Sequence, residues 1–403
     1  MDLKSGYPYW AVKNGLMATF PRLRDDASCD VAIIGGGITG ALIAREFAAH
    51  GYDTLVLEQR DIAWGSTAAS TALLQYEIDT HLVDLAERYG ADAAILAYGA
   101  CNTAVEQLTD LAHEVRDVGF ARVASLYYAS RKRDVPAMRD EHAARAHIGL
   151  DVQWLDAGAI RERYGFDSPA AILSRQAGRV DPYRLASRLF KRLEKRGVRI
   201  HDRTVVTAMH PTSRRVVLDC DCGARIDAKH VVIAAGYASQ HWLDKRVAKN
   251  RSSYAYITDP FDAGMLGAFD DTIAWETARP YLYLRNTEDG RLLVGGEDDA
   301  CDVPSRRDKR VDKKARKLVE RTRELLPHLD PRPAFSWAGT FAETEDGLPF
   351  FGPHAQHGPR VQFAMAYGGN GITYSMIGAG LLRAHVERRA HPLKRLFGFG
   401  RLS

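Results

Sequence analysis

The segment DVAIIGGGITGALIAREFAAHGYDTLVLE, residues 30–58, holds three glycines and one acid at spacings that suit the binding of a dinucleotide. Gly35, Gly37 and Gly40 form G-x-G-x-x-G. The first permits a tight turn, the second lets backbone approach a pyrophosphate, and the third lets a helix pack closely on a strand. Glu58 stands 18 residues after Gly40, close to the ~20 expected for the acid that accepts hydrogen bonds from a ribose hydroxyl. A carboxylate there would repel a 2′-phosphate, so the spacing points to an unphosphorylated ribose, as in FAD or NAD. The elements that must position these residues are legible around them. Val31–Ile34 is short, apolar and largely β-branched, as a strand buried on both faces should be. A helix over roughly Ile38–His50 aims its N-terminal N–H groups and positive dipole end at the phosphates. A second strand, Thr54–Leu57, carries the acid at its end.

The composition narrows the classes. With 403 residues, 46% hydrophobic and 26% charged, the chain is long enough for two cores and too apolar for disorder. Its formal charge of +4 comes from dispersed Lys and Arg, which excludes a nucleic-acid surface as the leading expectation. The start, MDLKSGYPYW, lacks the apolar core of a signal peptide, and no run of about 18 apolar residues occurs. A cytoplasmic protein without an integral membrane segment is expected. Five scattered cysteines (Cys29, Cys101, Cys220, Cys222, Cys301) do not form a disulfide framework. Cys220 and Cys222 read as a hairpin rather than a zinc site, so no metal is expected. His391–Ser403 interleaves His, Lys, Arg and Phe and reads as a packed or peripheral tail.

Along the chain, His81–Val118 reads as helix interrupted at Gly90, Ala121–Tyr128 as strand and Asp134–His147 as helix. A second block begins at Ala177 with AGRVDPYRLASRLFKRLEKRG, where Pro182 suits a helix start and Gly197 a helix end. The strand Val231–Ala235 then leads into Gly236. Between Ser252 and Gly296 the segments SYAYIT, DTIAWET, YLYLR and RLLVGG alternate as an antiparallel sheet rich in aromatics, and a charged helix, about Lys309–Leu326, should cover it.

Three blocks, GGGITG with Glu58, GRVDPYRL, and TEDGLPFFGP followed by AYGGNGIT, resemble the D-amino-acid oxidase superfamily of FAD-dependent oxidoreductases, in the family's order and over nearly the whole chain. Within it, YPYW and WAGTFAETEDGLP are most similar to gamma-glutamylputrescine oxidoreductase-type and glycine oxidase-like members. The resemblance implies an α/β fold: a Rossmann-like FAD-binding domain (GR2-type) over 1–85, 150–245 and 335–403, with an inserted α+β, antiparallel-sheet substrate domain over 86–149 and 246–334. It implies that Gly35, Gly37, Ile38, Thr39 and Gly40 hold the pyrophosphate, Glu58 the ribose and Gln59 the adenine side. Val206 would meet the adenine through its backbone, with Ala235, Gly236, Gly339 and Asp346 also at the cofactor. Ser66, Thr67, Ser70 and Thr71 in GSTAAST would serve as donors to pyrophosphate and flavin, or as a helix cap. Gly369, Asn370, Gly371, Ile372 and Thr373 would open a helix whose N–H groups stabilise negative charge on the reduced flavin.

In this family a neutral amine gives a hydride from its α-carbon to flavin N5, and the imine product is hydrolysed. Flavin supplies the hard chemistry, so the protein chiefly orients the substrate and no catalytic residue beyond the flavin is assigned. Departures from the family bear on the substrate. Relatives that oxidise glycine carry arginines where this chain has Phe341 and Gly369, which implies a substrate without an α-carboxylate, or one held by Arg285 or Arg279. No cysteine lies close to Gly339, so non-covalent FAD is expected. Leu293 replaces a lysine that promotes reaction with oxygen in some relatives, leaving oxygen or another electron acceptor open. Tyr254, Tyr256, Trp275, Glu276, Tyr281, Tyr283 and Arg285 are the pocket candidates, the aromatics as a cage for an ammonium and Glu276 as counter-charge; each is also a good core strand residue. The rival functions are a hydroxy-acid dehydrogenase of the same fold and a non-catalytic flavoprotein.

Overall fold

The computed structural model describes residues 3–301, 303–365 and 368–402. Ala366 and Tyr367, which open the AYGGNGIT motif, lie outside the described residues. The chain forms two compact units, Met1–Val12, Ala69–Asp181 and Asn250–Phe341 in one, and Lys13–Ala68, Pro182–Lys249 and Ala342–Ser403 in the other.

The second of these units is built on parallel strands. Its sheet runs Phe350–Pro353, Val361–Met365, Arg225–Ile233, Ala27–Ile34, Thr54–Leu57, Arg199–His201, and a meander of Val206–Pro211 and Val216–Cys220 pairs with the start of Arg225–Ile233. Ala27–Ile34 pairs in parallel with Thr54–Leu57 on one side and Arg225–Ile233 on the other. Val31, Ala32 and Ile33 are fully buried, as the β-branched run requires when both faces of a parallel strand are covered. The helices Ile38–Ala49, Pro182–Lys195 and Gly371–Val386 cover it, and Thr39 Oγ1 lies 2.7 Å from Ser375 Oγ to tie the first to the last. Cys220 ends a strand and Cys222 lies in the hairpin turn that follows it; no cluster of metal ligands occurs among the described residues. The tail is packed: Phe399 stacks on Phe350 at 5.0 Å, and Arg401 lies over the same ring at 3.8 Å.

The first unit is a ten-stranded mixed sheet, ordered Lys4–Gly6, Pro333–Glu343, Lys249–Thr258, Leu292–Asp299, Leu282–Asn286, Thr272–Glu276, Ala121–Tyr128, Ala170–Arg179, Leu73–Gln75, with Val152–Asp156 also on Ala170–Arg179. The four expected aromatic strands are present, but Thr272–Glu276 continues the sheet by parallel pairing with Ala121–Tyr128. That pairing recruits Leu73–Gln75 and Ala170–Arg179, so the expected boundaries at 85 and 150 fall inside this unit. Side-chain alternation splits the sheet into two faces. Leu126, Tyr254, Tyr256, Leu284 and Val294 pack with Leu318 and Val319 of the helix Val311–Leu325, while Tyr127, Ile172 and Trp275 pack on the other face with Met138 of the helix Val135–His147.

Candidate cofactor site and substrate face

The three motif glycines serve different needs. A Cβ on Gly35 would stand 2.3 Å from Ala234 O, and one on Gly40 would stand 2.0 Å from Gly35 O, so both are fixed by packing of the protein on itself. A Cβ on Gly36 would likewise stand 2.5 Å from Ile62 Cδ1 and 2.8 Å from Glu58 Cβ. Gly37 differs: its φ is an ordinary −83°, and the sole neighbour of an added Cβ would be Thr67 Oγ1 at 3.0 Å. Space beside Gly37 is what a phosphate needs.

Gly37 is the N-cap of the helix Ile38–Ala49, which has no side-chain cap of its own; Thr67 Oγ1 accepts the Ile38 N–H at 3.0 Å. The helix Gly371–Val386 also starts without a side-chain cap at Asn370. In its first turn the Tyr374 N–H donates to Asn370 O at 2.9 Å. Two helix N-termini without a cap from the N-cap side chain, both within one unit, suit an anionic ligand with two electron-rich ends. Asn370, Ile372 and Thr373 are buried, and the Tyr374 hydroxyl donates to Gly347 O at 2.7 Å.

Glu58 Oε2 accepts the Gly36 N–H at 2.7 Å and Oε1 the Arg60 N–H at 2.8 Å. A carboxylate has about four acceptor positions, so both oxygens keep capacity for ribose hydroxyls. Burial pushes the Glu58 carboxyl up, opposed by those N–H groups and the Arg60 charge; two ribose donors would favour its ionised form. Gln59 is exposed, Val206 half-buried, and Ala235 and Gly236 follow the strand Arg225–Ile233, with Gly236 at φ +57°. Asp346 is a turn pin. Its Oδ1 accepts the Leu348 N–H at 3.1 Å and its Oδ2 the Arg401 Nε–H at 2.7 Å.

Ser66 Oγ is buried with no hydrogen-bond partner among the described residues. A buried hydroxyl left without a partner is costly, and here it lies one residue from Thr67, which itself touches the glycine turn. This orphan, the open side of Gly37 and the unfilled acceptor capacity of Glu58 fit a dinucleotide.

In the sheet-rich unit, Ser70 Oγ accepts the Ala72 N–H at 3.1 Å, and Gly339 approaches Ala69 so closely that a Cβ would meet its Cβ at 3.2 Å. The expected pocket residues divide between the two sheet faces. Tyr254 and Tyr256 lie in the core under the charged helix, Tyr256 bonded to Thr322 Oγ1 at 2.9 Å and Tyr254 to Asp299 at 3.2 Å. Glu276 points the same way, where it accepts from Arg321, from Ser130 Oγ at 2.7 Å and from the Leu282 N–H at 2.7 Å. Its charge is already compensated, which removes it as counter-charge for a ligand. Trp275 and Tyr283 stand on the other face. Trp275 stacks on Tyr127 at 3.9 Å and donates to Ser125 Oγ at 3.2 Å, and the Tyr283 hydroxyl lies 3.0 Å from Ser253 Oγ. The Arg279 guanidinium sits 4.4 Å over the Tyr281 ring, and Phe341 is half-buried. Arg285 is fully buried and donates to three backbone carbonyls, Thr71 O at 2.6 Å, Val180 O at 2.8 Å and Asn286 O at 3.3 Å. It is a structural tie, not a carboxylate receptor.

Sequence reasoning missed a polar cluster behind Trp275. His81 Nε2 lies 2.9 Å from the Tyr127 hydroxyl, and burial pushes the His81 pKa down. Beside it Glu141 Oε1 accepts from Arg145 Nε at 2.6 Å and from the Tyr98 hydroxyl at 3.1 Å, while Glu77 Oε1 is 3.8 Å from Arg145 Nη1. The only sequence signal was a Glu and an Arg four apart on a helix, which ordinarily means an exposed pair.

Known proteins place this geometry. The family model described as FAD dependent oxidoreductase matches residues 30–384. The gamma-glutamylputrescine oxidoreductase of Escherichia coli (strain K12) is 24% identical over 392 residues, covering 94% of this chain and 89% of that protein. The glycine oxidase of Geobacillus kaustophilus (strain HTA426) is 27% identical over 370 residues, covering 89% and 93%. Among solved structures, L-proline dehydrogenase from P. horikoshii superposes with a TM-score of 0.78 at 16% identity over 94% of this chain and 100% of that one. Glycine oxidase from Geobacillus kaustophilus gives 0.76 at 21% identity over 92% and 98%. The chain belongs to the family of FAD-dependent oxidoreductases.

Proposed function

We propose that the protein oxidises a carbon–nitrogen bond of an amine or amino-acid-like substrate. FAD, when bound, supplies a hydride acceptor at N5. The chain's own contribution is to hold the cofactor and to orient the substrate carbon. Gly37 and the N–H groups at the start of Ile38–Ala49 would take the pyrophosphate, Glu58 the ribose, and the N–H groups of Gly371, Ile372 and Thr373 would face the flavin end that gains negative charge. Ser66 would donate its unpartnered hydroxyl. With no acid–base residue required, substrate choice rests on shape and charge.

The observation that carries the substrate reading is the use of Arg285 by three backbone carbonyls. With Phe341 at the family's arginine position, the reading favours an amine without an α-carboxylate, since an unpaired buried carboxylate would be strongly disfavoured. Among the described residues no helix is long and apolar enough to cross a membrane, and five free thiols support a reducing, cytoplasmic setting.

An anaerobic screen that follows bleaching of the flavin band tests this. Amines lacking an α-carboxylate should reduce the flavin faster than α-amino acids; bleaching by hydroxy acids alone would instead make the protein a hydroxy-acid dehydrogenase, and no bleaching at all a non-catalytic flavoprotein. Repeating the active reaction with oxygen and with a quinone identifies the acceptor. FAD should be non-covalent, for the Cys301 thiol is directed at its neighbour Val303 O, 3.9 Å away. Acid precipitation should therefore leave the yellow colour in the supernatant, and a yellow pellet would contradict this.

A further inference from the structure

The proposed oxidation makes no use of Cys220 and Cys222, yet the fold brings their thiols together. In the nucleotide-binding unit the strand Val216–Cys220 turns back through Asp221, Cys222 and Gly223 into Arg225–Ile233. The Gly223 N–H donates to Cys220 O at 3.0 Å and the Cys220 N–H to Ala224 O at 3.0 Å, with Gly223 at φ +86°. The first and third residues of so tight a turn have Cα atoms roughly 5–6 Å apart, inside the range that a disulfide spans. Cys220 is buried and Cys222 half-buried, both against the same apolar core, and the Cys222 thiol lies within hydrogen-bonding reach of the Cys220 thiol. Burial, and after it the neighbouring Cys222, Asp221 and Asp219, push the Cys220 thiol up to about 11. Cys222, the more exposed of the two, is the one that an oxidant meets first.

The residue between them holds the neighbouring strand. Asp221 donates its N–H to Val205 O at 2.9 Å, its Oδ1 accepts the Val205 N–H at 3.1 Å, and its Oδ2 accepts from Arg22 Nη2 at 2.8 Å. Val206 follows, paired with Cys220 itself where the register shifts. A bond between the two sulfurs spans Asp221, so its closure disturbs the peptide that holds Val205.

We infer that Cys220 and Cys222 form a peroxide-responsive dithiol whose closure into a disulfide loosens the hold on the adenine end of FAD. The effect on FAD rests on the proposed cofactor reading, in which Val206 meets the adenine; formation of the disulfide does not. The Cys222 thiolate attacks hydrogen peroxide: an S–O bond forms, the O–O bond breaks and hydroxide leaves. The Cys220 sulfur then attacks the Cys222 sulfur: the S–S bond forms, the S–O bond breaks, and water leaves with the Cys220 proton. The pair gives up two electrons and two protons, and the peroxide becomes two waters. A bridge closed over a single residue is strained, so added thiols reopen it.

Holoprotein treated with hydrogen peroxide, alkylated and digested with trypsin tests the pair. The peptide Val216–Arg225, which carries both cysteines, should resist alkylation and be lighter by two hydrogen atoms than the unmodified peptide, and dithiothreitol should reverse both changes. An unchanged peptide, oxygen added to a sulfur without a bridge, or a bridge to Cys29, Cys101 or Cys301 would overturn the pair. Ultrafiltration of the same samples measures FAD. Its dissociation constant should rise about tenfold on oxidation, the effect of losing one or two hydrogen bonds, and return with dithiothreitol. Cys222→Ser, which cannot form the bridge, should keep its FAD affinity under peroxide. Bridged protein that holds FAD as tightly as reduced protein, or an equal loss of FAD from Cys222→Ser, would overturn the switch. Reduced wild-type protein that binds no FAD would overturn the cofactor reading and with it the effect on FAD, while the mass change still decides the dithiol.

Discussion

Gly37→Val is expected to give a folded protein that no longer retains FAD. The backbone at Gly37 is in an ordinary region, and an added Cβ meets a single hydroxyl, Thr67 Oγ1, at 3.0 Å. The fold should therefore lose no more than about 1 kcal/mol, the usual scale for a poor N-cap. A branched side chain at that place fills the approach of a pyrophosphate, so the dissociation constant for FAD should rise by roughly a hundredfold or more, about 3 kcal/mol. Flavin absorbance of the purified variant and its thermal unfolding measure both halves. A yellow Gly37→Val protein would refute the assignment. Gly40→Val provides the contrast, since its Cβ would lie 2.0 Å from Gly35 O, and that variant should fail to fold whether or not FAD is present.

The second large effect lies in the sheet-rich unit. Glu141 and Arg145 are fully buried, and Glu141 also accepts the Tyr98 hydroxyl and the Val83 N–H. Replacing Glu141 by Leu leaves the guanidinium over the Tyr76 and Tyr98 rings with Glu77 at 3.8 Å as its remaining carboxylate among the described residues, one whose carboxyl is pushed up by burial. Breaking a buried pair from one side typically destabilises by ~3–5 kcal/mol, whereas replacing both partners by apolar residues is often neutral. Urea unfolding should show Glu141→Leu strongly destabilised and Glu141→Leu/Arg145→Met recovering only part of that loss, because the Tyr98 hydroxyl and the Val83 N–H still lose an acceptor. A single variant as stable as wild type would mean that water reaches the cluster. The pH dependence has a definite sign. Burial raises the Glu141 pKa, but Arg145, His81 and a backbone N–H outweigh it and hold the carboxyl below its ordinary 4.5. Its contribution is thus complete at neutral pH and is lost as pH falls below that value through the folded-state pKa.

Local patterns carried the nucleotide-binding unit into the sequence. Gly35 to Glu58 lies on consecutive elements whose periods and turn residues are all local, and Pro182 and Gly197 bracket the helix Pro182–Lys195 as their conformational preferences require. The substrate face was less legible because sheet register is not local. Tyr254 and Tyr256 share a parity, as do Trp275 and Ile273, but which parity faces which side depends on pairings between distant strands. The parallel pairing of Thr272–Glu276 with Ala121–Tyr128 leaves no mark in either segment. Arg285 and Glu276 were misread for a related reason. Each looked like a ligand group in an aromatic strand, yet their partners, the Thr71 carbonyl and Arg321, come from residues far away in the chain.

The strand order of the nucleotide-binding unit has a consequence for the birth of the protein. Ala27–Ile34 gains Thr54–Leu57 on one edge soon after it is made, but its other edge pairs with Arg225–Ile233, which leaves the ribosome about 190 residues later. At roughly 5–20 residues per second, a bare edge that includes the fully buried Val31, Ala32 and Ile33 waits on the order of 10 s or longer for its neighbour. An apolar edge held open that long invites pairing with other nascent chains, so slower translation through the residues between should lower the yield of folded protein.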